Sequence, residues 1–106
     1  MKGIDEVLKE ELERLLELEK SYLREIKALP KGSLQQKKIK KKSYPYLVCR
    51  DGSEVVYDYL GKLSKAEIEK LELKIEQRRK FEGLLREVRR NISRLKKIVY
   101  GRKRTV

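Results

Sequence analysis

The chain opens with apolar residues at Leu8, Leu12, Leu15, Tyr22, Ile26 and Leu29, alternately four and three positions apart. That spacing keeps one face of a helix apolar, and it predicts a helix over residues 4–29. Glu19 stands at the one seam position that is not apolar, and Leu16, Leu18 and Leu23 widen the stripe beyond a strict coiled-coil seam. Pro30 and Gly32 end the run, because proline removes an amide donor and glycine tolerates the exit geometry. A second helix is predicted over residues 64–100. Ser64 is a natural N-cap, Glu67 completes a capping box, and Leu63 with Ile68 can form a hydrophobic staple. Its seam runs Ile68, Leu71, Ile75, then resumes out of phase as Phe81, Leu85, Val88, Ile92, Leu95 and Val99. The break falls at Arg78-Arg79-Lys80, where local unwinding or a change of packing partner is expected.

Between the helices, residues 32–61 switch to a period of two. Asp51-Gly52 is a strong hairpin signal. With those two residues at the centre of a type I′ turn, Val48 would pair with Val55, Tyr46 with Tyr57 and Tyr44 with Tyr59. One face would carry Tyr44, Tyr46, Val48, Val55, Tyr57 and Tyr59. A preceding strand over Leu34–Lys40, joined through a turn near Lys41–Ser43, makes the sheet three-stranded. Pro45 cannot donate to a ladder, so one side of its strand should be an edge or a bulge. The expected fold is α+β: two long helices with coiled-coil character flanking a small three-stranded antiparallel sheet. The expected segments are a helix at 1–29, the sheet at 32–61, a helix at 64–100 and a basic tail at 101–106.

The second helix is about ten residues longer than the first, so an antiparallel pairing of the two leaves part of it unmatched. That surplus, with the broad leucine stripe of the first helix, points to a homodimer or larger helical bundle, with Leu85 and Ile92 among the interchain contacts.

Charge sharpens the functional reading. The chain carries 29 Lys and Arg against 17 Asp and Glu, a net +12. Residues 1–29 are net −2, residues 30–63 net +5, and residues 64–106 net +9. Lys37, Lys38, Lys40, Lys41 and Lys42 crowd six positions, where ammonium groups repel one another unless an anion lies against them. Arg86, Arg89, Arg90, Arg94, Lys96 and Lys97 make a second basic surface, and Arg102-Lys103-Arg104 a basic tail. These lysines and arginines, with Arg50, are the candidate nucleic-acid contacts, and duplex DNA is the expected partner. Phosphate contacts alone do not separate DNA from RNA. The tyrosine face has two readings: sealing the sheet against the helix ends, or stacking on bases and bonding phosphate.

Other chemistry is thinly represented. There is no histidine, and the single Cys49 excludes an internal disulfide or a cysteine metal site. No metal or cofactor is expected. The acids sit at spacings that suit Glu–Lys pairs on helix surfaces, so no catalytic constellation is expected. Neither a secretory apolar segment nor a membrane span is visible, which gives a cytoplasmic expectation. Abundant Lys, Arg and Glu fit a thermophilic source.

The run Gly32-Ser33-Leu34, Tyr44-Pro45-Tyr46-Leu47, Arg50-Asp51-Gly52 and Tyr59-Leu60-Gly61-Lys62, followed by a charged helix, resembles a family of small prokaryotic proteins of unknown function. That family has the pattern GS, a basic run, YYYL-x-x-R-x-G-G-K, a four-residue spacer and Y-I/L-G-K. The order of three strands then helix is similar to the arm-type DNA-binding domains of tyrosine recombinases and to AP2-like domains, which place the sheet in the major groove. The resemblance implies Lys37, Lys38, Lys40 and Arg50 as DNA contacts. Glu54, Val56 and Asp58 depart from the basic or polar positions of the pattern. They move the expected contact toward the first strand, its turn and the Arg-rich helix. Two helices around a β insert also resemble the layout of prefoldin subunits, which implies the alternative of a protein-interaction or scaffold module.

Overall fold

The computed structural model describes residues 3–101, and Arg102-Lys103-Arg104 lie outside the described residues. The elements are helix α1 (Ile4–Ala28), strands β1 (Ser33–Ile39), β2 (Lys42–Asp51) and β3 (Glu54–Tyr59), and helix α2 (Lys65–Gly101). This is an α+β fold, two long helices flanking a three-stranded antiparallel sheet of order β1-β2-β3. The chain divides into two compact units, one of Met1–Ala28 with Lys80–Val106 and the other of Leu29–Arg79.

The first unit is a helical hairpin. Leu12 and Leu15 of α1 cluster with Val88 and Ile92 of α2, and Leu16, Leu18, Tyr22 and Leu95 pack around them. Leu85 and Val99 are buried as well. Tyr22 meets Phe81 with ring centroids 5.9 Å apart, and Arg89 Nε donates to Glu19 Oε2 at 3.0 Å. Early residues of α1 thus face late residues of α2, so the helices run antiparallel. Glu19, the polar interruption of the seam, is used as the acceptor of an interhelix ion pair. On the exposed side of α1, Arg14 donates twice to Glu11, at 2.6 and 3.0 Å. Those hydrogen bonds hold the Glu11 carboxyl below its ordinary pKa.

The second unit holds the sheet and the first turns of α2. The N-cap of the expected capping box forms: Ser64 Oγ accepts from the Glu67 amide at 3.2 Å, while the Glu67 carboxylate takes the Ser64 hydroxyl, which donates to Oε1 at 3.1 Å. Ile75 is 4% exposed and lines a small cleft with Ser33, Leu34, Glu72, Glu76 and Arg79. Arg78 Nη1 donates to the Leu29 carbonyl at 2.7 Å, and Arg79 Nη2 to the Gly32 carbonyl at 3.5 Å. The arginine pair at the phase break therefore ties down the chain leaving α1. Helix α2 is unbroken through this point. The break in its apolar phase marks a change of partner, from the sheet unit to α1, and no unwinding occurs.

That finding corrects one basis of the dimer expectation. The surplus length of α2 belongs to the sheet unit, and Leu85 and Ile92 are buried within a single chain. The sheet also departs from expectation in register. The β2–β3 turn is centred on Gly52-Ser53, closed by Asp51 opposite Glu54, so Val48 faces Tyr57 and Tyr46 faces Tyr59. Gly52 has φ +65° while neither Asp51 nor Ser53 is positive, the sign pattern of a type II′ turn. A type I′ turn on Asp51-Gly52 would need a left-handed aspartate. The β1–β2 turn lies at Lys40-Lys41, one position earlier than expected, with Ile39 opposite Lys42. Pro45 is in the central strand, not at an edge. Leu60 N–H donates to the Pro45 carbonyl at 2.9 Å, one step past the end of β3, so the missing proline donor falls where the ladder already ends.

Candidate functional site

Regular pairing in both ladders fixes which residues share a face of the sheet. The β3 register differs from expectation by two residues, an even number, so the tyrosine face survives the correction. Tyr44 and Tyr46 from β2 and Tyr57 and Tyr59 from β3 stand on it together. Lys37 from β1 and Lys42 and Arg50 from β2 stand on the same face. Every acid in the strands, Asp51, Glu54 and Asp58, stands on the opposite face with Lys38. The departures Glu54, Val56 and Asp58 thus leave the tyrosine face untouched. Lys40 and Lys41 form the tight turn at one end, and Lys40 adopts φ +54°, uncommon for a residue with a side chain. Ile39, Lys40, Lys41, Lys42 and Tyr44 line an open groove there.

The tyrosines form a connected array. Tyr46 and Tyr59 have ring centroids 5.4 Å apart, Tyr44 and Tyr59 6.2 Å, and Tyr46 and Tyr57 6.4 Å in an edge-on arrangement. Lys37 Nζ lies 5.2 Å from the Tyr57 ring centroid and 5.9 Å from that of Tyr46, so its ammonium is drawn over the array. Tyr57 is 54% exposed and Tyr59 52%. The sealing role weighed for this face does not hold at these two rings, which are open to solvent. Tyr59 instead folds back over Gly61, where a Cβ would collide with its ring and hydroxyl. Gly32 is needed for a different reason: its φ is +127°, and a Cβ would stand 2.7 Å from the Val48 carbonyl oxygen.

The second group of candidates lies on α2 in the helical-hairpin unit. Arg86, Arg90, Arg94 and Lys97 project from the side opposite the buried Leu85, Val88 and Ile92, as a 3.6-residue period requires. Arg89 and Lys96 flank the seam, and Arg89 is engaged by Glu19. The structure therefore gathers Lys37, Lys42 and Arg50 on one surface, sets Lys38 behind it, and holds the α2 cations in the other unit. The open tyrosines stood outside the cationic candidate set and entered only as the stacking alternative to a sealing role. The signal for them was the shared parity of Lys42, Tyr44, Tyr46 and Arg50 along one strand.

Among the described residues, no group of three or more His, Cys, Asp or Glu is placed to hold a metal ion. No helix among them is long and apolar enough to cross a membrane. No curated protein and no solved structure matches the chain. Residues 1–70, which include α1, the whole sheet and its tyrosine face, match a family described as a domain of unknown function. The match ends before the basic face of α2. By this match over most of its length, the chain belongs to the family DUF6788.

Proposed function

We propose that this protein is a non-catalytic binding module in which a helical scaffold carries a sheet that takes a polyanion, with duplex DNA as the first partner. Paired helices flanking a small sheet are an interaction or scaffold architecture. What directs that architecture to nucleic acid is one observation: the strands place three cations and four tyrosines on one face and all three acids on the other. Random placement of charge in a soluble sheet does not require such sorting, whereas a surface facing phosphates does. Lys37, Lys42 and Arg50 would hold phosphates, with Lys40 and Lys41 at the turn extending the contact. The open rings of Tyr57 and Tyr59 would lie against sugars or bases. Arg86, Arg90, Arg94 and Lys97 would supply a second basic surface for longer nucleic acid. Comparison with single-stranded DNA and RNA distinguishes groove binding from stacking.

The test is titration of labelled duplex DNA by the full chain, beside a variant with Lys37, Lys38, Lys40, Lys41 and Lys42 made neutral. Binding at micromolar or lower concentration in low salt, weakened in the variant, is the expected result. No binding to any nucleic acid would overturn the reading and favour a second one, a protein-interaction scaffold of prefoldin-like layout. The antiparallel pairing of α1 with α2 through Leu12, Leu15, Val88 and Ile92 favours that second reading.

A further inference from the structure

Strand β3 is one edge of the sheet, and all six of its residues are exposed. Val55, Val56, Tyr57 and Tyr59 are between 46% and 54% exposed. Edge strands are usually guarded against pairing by charged side chains, lysine above all, by proline or by a bulge. The opposite edge, β1, follows that rule with Lys37 and Lys38, whereas β3 has no lysine, no proline and an unbroken register, and its two charges, Glu54 and Asp58, leave Val55, Val56 and Tyr57 uncharged between them. Val55, Val56, Tyr57 and Tyr59 are also strong strand formers.

The direction of its free hydrogen-bonding groups follows from the ladder. Leu60 N–H bonds to Pro45, so residues 54, 56 and 58, of the same parity, turn their backbone groups toward β2. Val55, Tyr57 and Tyr59 turn theirs to the open edge. From this we propose that β3 pairs antiparallel with β3 of a second copy of the chain, about a two-fold axis at Tyr57. Tyr57 then exchanges backbone hydrogen bonds with Tyr57 of the second copy, and Val55 with its Tyr59.

Strand length and charge together select this register, since an axis on Val55 or Tyr59 leaves at most residues 54–56 of β3 paired. Centring the axis on Val56 would set Glu54 opposite the second copy's Asp58, and centring it on Asp58 would set two aspartates face to face. Like charges directly opposite each other destabilise a pair. The Tyr57-centred register places Asp58 opposite Val56 and avoids both clashes. A two-fold perpendicular to the sheet also keeps both tyrosine faces on the same side, joining them into one surface. The pairing differs from a dimer through helix seams, and it stands whether or not the ligand is nucleic acid.

Cross-linking between variants tests the register. Val56 and Asp58 of different copies would form a close, non-hydrogen-bonded pair, with Cα atoms about 4.5 Å apart, within disulfide range. One protein carrying Val56→Cys and another carrying Asp58→Cys, both with Cys49→Ser, are mixed and oxidised. The expected product is the mixed disulfide, in excess over either homodimer. Tyr57→Pro removes an outward N–H that β2 does not use, and should weaken self-association about 30-fold by deleting one bond from each copy. Circular dichroism reports whether that variant keeps its fold, and the cross-linking is independent of it. Sedimentation showing a monomer at high concentration, or a dimer yielding no excess of the mixed disulfide, would overturn the proposal.

Discussion

Replacing Lys37, Lys42 and Arg50 with glutamine removes the cations of the tyrosine face and leaves the acids behind it in place. Each phosphate neutralised by a protein cation contributes about 0.9 to the slope of log K against log salt on duplex DNA. Three contacts therefore account for about 2.7 of the slope. Between 50 and 200 mM salt that corresponds to about 40-fold of affinity change, which the triple variant should no longer show. Fluorescence anisotropy with a labelled duplex across that salt range measures it directly. The cost to folding is small, since Lys37 gives up a solvent-exposed cation–π contact of about 1 kcal/mol at most. Lys38→Gln is the internal control: it removes one positive charge from the same strand but from the opposite face. Its slope should stay within about 0.3 of the unmodified protein, well below the 0.9 expected for a lost contact. If the triple variant keeps the full slope, or if Lys38→Gln loses as much per charge, binding follows net charge and the facial sorting has no role in it.

Three substitutions examine the scaffold. Ser64→Ala removes the acceptor of the Glu67 amide and should lower stability by about 1 kcal/mol, read as a fall in the thermal midpoint. Gly61→Ala displaces only the exposed end of the Tyr59 ring, which can swing into solvent, so stability should stay within about 0.5 kcal/mol of the unmodified protein. A large fall in the thermal midpoint of Gly61→Ala would show that the ring is held in place over Gly61. Ile92→Asp puts a carboxylate into the Leu12, Leu15 and Val88 cluster and should destabilise the helical hairpin by about 4 kcal/mol. Denaturant unfolding followed by helical circular dichroism checks this, and a variant that only changed oligomeric state at full stability would restore the interchain reading of that seam.

Much of the fold was written locally. The N-cap at Ser64, the helix stop at Pro30, and the alternation of tyrosines each depend on residues a few positions apart. The tyrosine face survived an incorrect register because a shift of two residues preserves side-chain parity. What stayed hidden depended on contacts distant in sequence. Asp51-Gly52 and Gly52-Ser53 are both acceptable turn centres, and only the assembled ladder put the turn on the second. Pro45 looked like an edge residue because its missing donor was visible but the place where β3 ends was not.

The apolar seam of α2 recorded a phase change without recording its cause. Tertiary structure assigned the first part to the sheet unit, where Ile75 is buried, and packed the rest against α1. The same distinction governs the candidate site. Residue identities alone establish an excess of positive charge and its concentration in the insert and the second helix. Only strand pairing decided that Lys37, Lys42 and Arg50 share a surface with open tyrosines while Lys38 and the acids do not. Net charge is a sum over residues, but a binding face depends on side-chain direction, which hydrogen-bonded register sets across strands.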